Sequence, residues 1–360
     1  MPSRYVTIKQ DEPDFLNYLW GRNEKNNLRA IPVKTYNLGT AEELITFEIR
    51  DISEIEKPGL FVYISSLIKL KSFILILFPL FYVLSKNYLS NTFFDPIGIM
   101  LASVSSILLF AGMNIRNDVY DHISGFDRVN LDSNNKPIRL GWISPHRASR
   151  WSLILVSVSA LLALPAALLH RELVGVVAAA AILFFMGRFS KNNSYKQQHL
   201  GEVVLILLIG PALASGYQVA LGAGIDTEVL GFGALWGFAV FYLIQVNNFS
   251  HIMTSSQSGI KNTMTKLGFD LSQKFLILAW IFFIAVWFLF HSQYANPRFA
   301  ALSTFLLLVF SLPLFMKIAN IKSPMGSGLQ IVRKVANKTF LLMVSLFLTE
   351  NFLYLWEVLF

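Results

Sequence analysis

Long apolar runs dominate the chain. Nine stretches of about 20 residues carry few charges, near 62–84, 96–116, 151–169, 173–189, 202–222, 229–247, 273–291, 299–317 and 339–358. At 1.5 Å per residue, about 20 helical residues cross a hydrocarbon core of roughly 30 Å. The runs are continuous, without polar–apolar alternation of period two, which predicts helices rather than a membrane barrel. The expected fold class is all-α: a polytopic membrane protein with nine transmembrane helices within residues 58–360. Residues 1–57 contain no such run and read as a polar cytoplasmic N-terminal extension. They lack the apolar core of a signal peptide, and their ten acids argue against a transit peptide. Within them, Ala41-Glu42-Glu43-Leu44-Ile45 is expected to open a short helix after Thr40.

The cations sharpen this picture. With nine spans, 27 of the 30 Lys and Arg residues fall on one side; only Lys86, Arg171 and Arg298 fall on the other. Cytoplasmic loops carry such an excess, so the basic side and the N-terminus are expected in the cytoplasm and the C-terminus opposite. A prokaryotic plasma membrane is the simplest setting. The composition agrees, with 54% hydrophobic and 14% charged residues, too little polar surface for a soluble chain of this length. The absence of Cys removes thiol chemistry and Cys-based metal sites. The net charge of +8 is explained by topology and attraction to anionic lipid. No basic domain with interleaved aromatics is present, which excludes a nucleic-acid partner.

Polar clusters at span ends are costly inside a bilayer and carry the candidate chemistry. The densest closes the second span, Asn114-Ile115-Arg116-Asn117-Asp118-Val119-Tyr120-Asp121-His122, followed by Ser124-Gly125-Phe126-Asp127. Asn114, Asn117, Asp118 and Asp121 recur at i, i+3, i+4 and i+7, one face of a helix. Ser124-Gly125 can end that helix and return Asp127 toward the same place. Three carboxylates so close repel unless a cation sits among them, and an all-oxygen set suits Mg²⁺ or Mn²⁺. The competing reading is a solvated helix end whose acids pair with Arg116 or Arg128. A second stripe closes the sixth span, with Asn247, His251 and Ser255 at i, i+4 and i+8. Loop cations Lys136, Arg139, Lys191 and Lys196 lie between the stripes. Carboxylates and convergent cations at a membrane surface point to phosphate chemistry on a lipid, and no Walker-type loop is present for a nucleoside triphosphate. Gly231, Gly233 and Gly237 in span six are expected to let helices approach.

These residues resemble the UbiA superfamily of intramembrane prenyltransferases over roughly residues 60–358. The first motif is matched by Asn117-Asp118-Val119-Tyr120-Asp121 and then Gly125-Phe126-Asp127. The spacing is most similar to the 1,4-dihydroxy-2-naphthoate (menaquinone) branch. The segment Asn135-Lys136-Pro137-Ile138-Arg139-Leu140-Gly141-Trp142-Ile143-Ser144 resembles the family's stretch after that motif. Lys196 with Leu200-Gly201-Glu202 resembles the stretch before span five, and Asn247-Asn248 with Gly259, Thr263 and Leu267-Gly268 the stretch around the second motif. The resemblance implies a UbiA-like bundle and Mg²⁺ (or Mn²⁺) held by Asn117, Asp118, Asp121 and Asp127. It further implies an isoprenoid diphosphate contacted by Arg116, Lys136, Arg139, Lys196, Asn247 and Asn248, and an aromatic acceptor. Asp118, Asp121 and His251 are the candidate catalytic residues. His251 stands either as a diphosphate ligand or as a base. One departure is plain: where the family's second motif has an Arg and two Asp, this chain has Ser250, His251 and Ser255. The expected function is thus a membrane prenyltransferase. The alternatives are a non-catalytic protein that binds lipid diphosphates, a prenyl cyclase of the same type, and a transporter, for which midplane breaks in the spans are wanting.

Overall fold

The computed structural model describes residues 4–22, 27–89, 94–130, 135–170, 173 and 199–359. Seven described helices are long and apolar enough to cross a membrane: Leu70–Tyr88, Pro96–Ile123, Pro145–Leu169, Glu202–Ala220, Thr227–Ser250, Thr263–Tyr294 and Pro297–Ala319. The expected span 173–189 lies outside the described residues except for Leu173. The expected span 339–358 falls within a further helix, Ser327–Leu359.

The chain forms two compact units. One comprises residues 1–73, 105–161 and 254–259, the other 74–104, 162–253 and 260–360. The first unit opens with β1 (Arg4–Lys9), α1 (Phe15–Trp20), β2 (Leu28–Tyr36) and β3 (Leu44–Asp51). The strands form an antiparallel sheet in the order β1-β3-β2, with Val6 opposite Phe47 and Ala30 opposite Ile49. The short helix expected after Thr40 is not formed: a turn closes on the Thr40 carbonyl and Leu44–Asp51 is extended. The reason is burial. Ile45 and Phe47 alternate inward, both fully buried with Ile8, Phe15 and Leu19. Such alternation of β-branched and aromatic residues fits a half-buried strand better than a helix. The sheet is an addition to the expected all-α bundle.

The same unit contains α2 (Leu60–Ile68), the end of α4 (Pro96–Ile123), α5 (Phe126–Val129) and the start of α6 (Pro145–Leu169). The first expected span, 62–84, is therefore interrupted. α2 stops at Lys69, whose φ of 57° is left-handed, and the chain resumes as α3 (Ile74–Leu89). A small apolar core of Leu67, Ile115, Val119, Ile138, Ile143 and Ala148 joins these segments.

The second unit is built on α9 (Thr227–Ser250), α11 (Thr263–Tyr294), α12 (Pro297–Ala319) and α13 (Ser327–Leu359), with α3, α7 (His199–Leu207) and α8 (Leu213–Ala220) against them. The short α10 (Ile252–Gln257) follows α9. Its core is aromatic: Phe78 stacks on Trp236 at 4.7 Å, and Tyr82 on Phe232 at 3.7 Å. Between α7 and α8, Gly210-Pro211 breaks the helix, and Gly233 and Gly237 pack against this break. A Cβ on Gly233 would lie 2.6 Å from Pro211 Cα, so the glycines of span six do set a close helix approach there.

Candidate functional site

Helical spacing builds the first half of the site. Ile115 and Val119, each only 1% exposed, anchor the last turns of α4 on the apolar core. Asp118 and Asp121 lie on the same turns, both buried, with Asn117 half-buried one turn before Asp121. Gly125 supplies the second half. Its φ of 88° is a left-handed conformation that side chains disfavour, and it reverses the chain into α5. That reversal returns Asp127. Ligand atoms of Asp118, Asp121 and Asp127 all lie within 4.8 Å of one another, and all three residues are buried. Asn114, the fourth residue of the predicted stripe, is tied elsewhere: its Nδ2 donates to the Ile68 carbonyl at 2.9 Å and to Ser72 Oγ at 3.1 Å.

Three buried negative charges need positive partners. Lys136 Nζ lies 3.0 Å from Asp118 Oδ1, 3.1 Å from Asp121 Oδ2 and 2.8 Å from Asp127 Oδ1. Burial works against its charge, but the carboxylates of Asp121, Asp118 and Asp127 outweigh that and hold the ammonium above its ordinary pKa. Lys69 Nζ approaches Asp118 Oδ1 at 2.8 Å, an approach that depends on the left-handed residue ending α2. Lys69 carries no motif signal and stands out in the sequence only as one of the cations on the basic side.

The remaining predicted cations are placed differently. Arg139 donates through Nη1 to the backbone carbonyls of Asp127 and, at 2.9 Å, Asn130, so it braces the returning segment. Burial lowers the pKa of its guanidinium, against the pull of Asp127. Arg116 Nη1 donates to Ser149 Oγ at 3.1 Å. Lys191 and Lys196 lie outside the described residues.

The second stripe belongs to the other unit up to Met253. Asn247 is exposed at the end of α9 and its carbonyl accepts from Ser250 Oγ at 2.7 Å. Asn248 Nδ2 donates to Glu202 Oε1 at 3.2 Å, and Glu202 also accepts from the hydroxyl of Thr263. His251 leaves the helical region (φ −118°, ψ 22°), so α9 ends and α10 begins anew. The face expected to run continuously through Asn247, His251 and Ser255 is thereby broken. Arg333 Nη1 lies 2.9 Å from His251 Nε2. A guanidinium only donates, so Nε2 accepts and, in the neutral ring, the proton sits on Nδ1. Arg333 is 82 residues away in sequence, and no spacing rule could have paired it with His251.

The acidic cluster suits a hard divalent ion. Its donors are all oxygen, and they lie within 4.8 Å of one another, close enough to ligate a single ion. Asp118 Oδ2 is fully buried with no hydrogen-bond partner among the described residues, an orphaned acceptor that a cation would satisfy.

The UbiA prenyltransferase family model matches residues 75–324. Among solved structures, a UbiA homologue from Archaeoglobus fulgidus bound to GPP and Mg²⁺ shares 15% identity with a TM-score of 0.51, over 79% of this chain and 99% of that one. A digeranylgeranylglyceryl phosphate synthase shares 16% identity with a TM-score of 0.54, over 81% and 98% respectively. At such identities the likeness is one of fold. No curated protein sequence matches the chain.

Proposed function

The chain belongs to the UbiA prenyltransferase family, and on that premise we propose that it moves a prenyl group from an isoprenoid diphosphate to an aromatic or quinone-precursor acceptor, in the manner of the menaquinone branch. The observation that carries this reading is the buried trio Asp118, Asp121 and Asp127 with Lys136 among them. The A. fulgidus homologue was solved with GPP and Mg²⁺, the ligand pair that such a trio suits.

Asp118, Asp121 and Asp127, with Asn117, are the residues to hold Mg²⁺. The bound ion would supply charge neutralisation at the diphosphate, easing loss of the allylic C–O bond. Lys136 offers positive charge to the diphosphate beside that ion; Arg116, Arg139, Lys196, Asn247 and Asn248 are candidate contacts that the family resemblance alone supports. The C–O bond breaks and the diphosphate departs with its electron pair. The electron-rich acceptor then donates a pair to the allylic carbon and releases a proton. His251, with Nε2 engaged by Arg333, is a candidate contact either to the diphosphate or to the acceptor. Apolar spans keep water from the allylic cation. The excess of basic residues in the loops supports a cytoplasmic orientation for this chemistry.

A second reading is favoured by one observation. Ser250, His251 and Ser255 replace the Arg and both Asp of the family's second motif. A protein with this change could retain lipid diphosphates without turning them over. Diphosphate release from purified protein in nanodiscs separates the readings. Geranylgeranyl diphosphate and Mg²⁺ are supplied with and without a panel of aromatic acceptors. Acceptor-dependent release supports transfer, whereas release without an acceptor points to hydrolysis or cyclisation. Mg²⁺-dependent binding without release supports the non-catalytic reading and overturns the first.

A further inference from the structure

The N-terminal sheet is not accounted for by prenyl transfer, yet it grips the segment that completes the acidic cluster. Five contacts within the first unit make the grip. Glu43 Oε1, from the residue just before β3, lies 2.9 Å from Arg128 Nη2 on α5, and the two side chains are only 8% and 4% exposed. Arg29 on β2, 2% exposed, donates to the Gly141 carbonyl. Ile123, the last residue of α4, packs against the buried cluster that includes Leu19 of α1. Leu38 and Ile31 press on Gly125 and Gly141, both left-handed, leaving no room for a Cβ at either. The N-terminal segment thus touches the motif region before, within and after α5.

Glu43 is itself immobilised for this contact. Its carbonyl accepts from the Gln10 amide at 2.9 Å and its carboxylate from the Gly39 amide at 3.4 Å. Arg128 directly follows Asp127 in the four-residue α5. A buried ion pair at that point sets the position of α5, and with it the distance of Asp127 from Asp118 and Asp121. Leaving one member of such a pair without its partner is strongly unfavourable, so the loop follows the sheet.

We propose that Glu43 and Arg128 are positioning residues: the N-terminal sheet holds Asp127 in the metal-binding trio through their buried ion pair. This rests on the reading of the trio as a divalent-cation site. Supporting partners around metal ligands commonly change affinity 10–100-fold when removed, and that is the effect expected here.

The test is Mn²⁺ binding to the full-length protein in detergent, read by the loss of the free-ion electron paramagnetic resonance signal, beside thermal melting. Glu43→Gln keeps the shape and removes the charge. It is expected to weaken Mn²⁺ binding at least tenfold, while the charge-reversed pair Glu43→Arg with Arg128→Glu recovers to within threefold of wild type. A merely structural role would lower melting without this rescue of affinity. Affinity within twofold of wild type in Glu43→Gln, or in the milder Leu38→Ala should Glu43→Gln not fold, overturns the proposal. Failure of the wild-type protein to bind Mn²⁺ instead overturns the metal reading beneath it.

Discussion

Replacing Lys136 by Met isolates the electrostatics of the site, because the two side chains are of similar volume and only the charge is lost. In the wild type the ammonium lies within 3.1 Å of three buried carboxylate oxygens. Each such pair has a gross attraction of about 5 kcal/mol at an effective dielectric constant of about 20. Most of that is offset by desolvation, and removing one member of a buried pair costs a net of about 3–5 kcal/mol. Among the described residues, Lys69, a third exposed, then remains against Asp118. At about 2 °C per kcal/mol for a chain of this size, the metal-free variant should melt about 6–10 °C below wild type. A divalent cation can restore more charge than was lost. Adding Mg²⁺ should therefore raise the melting temperature of Lys136→Met by more than it raises that of the wild type, in which the ion competes with the ammonium. Thermal melting in nanodiscs, with chelator or with millimolar Mg²⁺, is the assay. An unchanged melting temperature in chelator would refute the role of Lys136 in holding the trio. A large loss that Mg²⁺ leaves untouched would refute the trio as a cation site.

Other outcomes follow from the same geometry. Asp121→Ala is expected to keep its fold, since it removes one of three mutually repelling carboxylates, and to lose roughly a hundredfold or more in Mg²⁺-dependent diphosphate release; turnover at the wild-type rate would sink the assignment. Asp226 caps α9 and pairs with Lys86 Nζ at 3.0 Å. Although burial pushes its carboxyl up, the Val229 amide, Lys86 and Gln218 together hold it below the usual value. The stability it adds is present above the ordinary carboxylate range and is lost as the pH falls through the depressed value. Asp226→Asn, which preserves the cap, should thus lower stability at pH 7 by about 1 kcal/mol or less and converge with wild type only as the pH falls below the depressed value; a deficit that stays constant as the pH falls would contradict this. Gly233→Ala drives a methyl group into the Pro211 backbone, 2.6 Å from its Cα, and should cost about 1–3 kcal/mol. Gly231→Ala meets side-chain rings alone, Phe290 at 3.3 Å and Tyr294 at 3.8 Å, and should be milder; equal melting losses would show that the helix approach is not set at Gly233.

Much of the site was legible in the sequence because its decisive features are local. A helix repeats every 3.6 residues, so Asn117, Asp118 and Asp121 had to share a face wherever α4 packed. A glycine after a polar helix end invites a left-handed turn, and Gly125 takes one to return Asp127. The apolar runs likewise foretold helices from length alone. The second stripe shows the limit of periodicity. His251 steps out of helical geometry, and a pattern that looked continuous through Ser255 is cut in two.

What only tertiary structure decided are the partners. Lys69 reaches Asp118 because α2 ends in a left-handed residue, and Arg333 reaches His251 across 82 residues of chain. The segment after Thr40 became a strand because Ile45 and Phe47 found a core with Ile8, Phe15 and Leu19, and that burial outweighs a weak helical start. The grip of Glu43 on Arg128 exists only once the sheet has formed. Periodicity and turn chemistry act over a few residues and can be read along the chain. Charge pairing and burial depend on which distant segments share a volume, and that is a property of the folded chain.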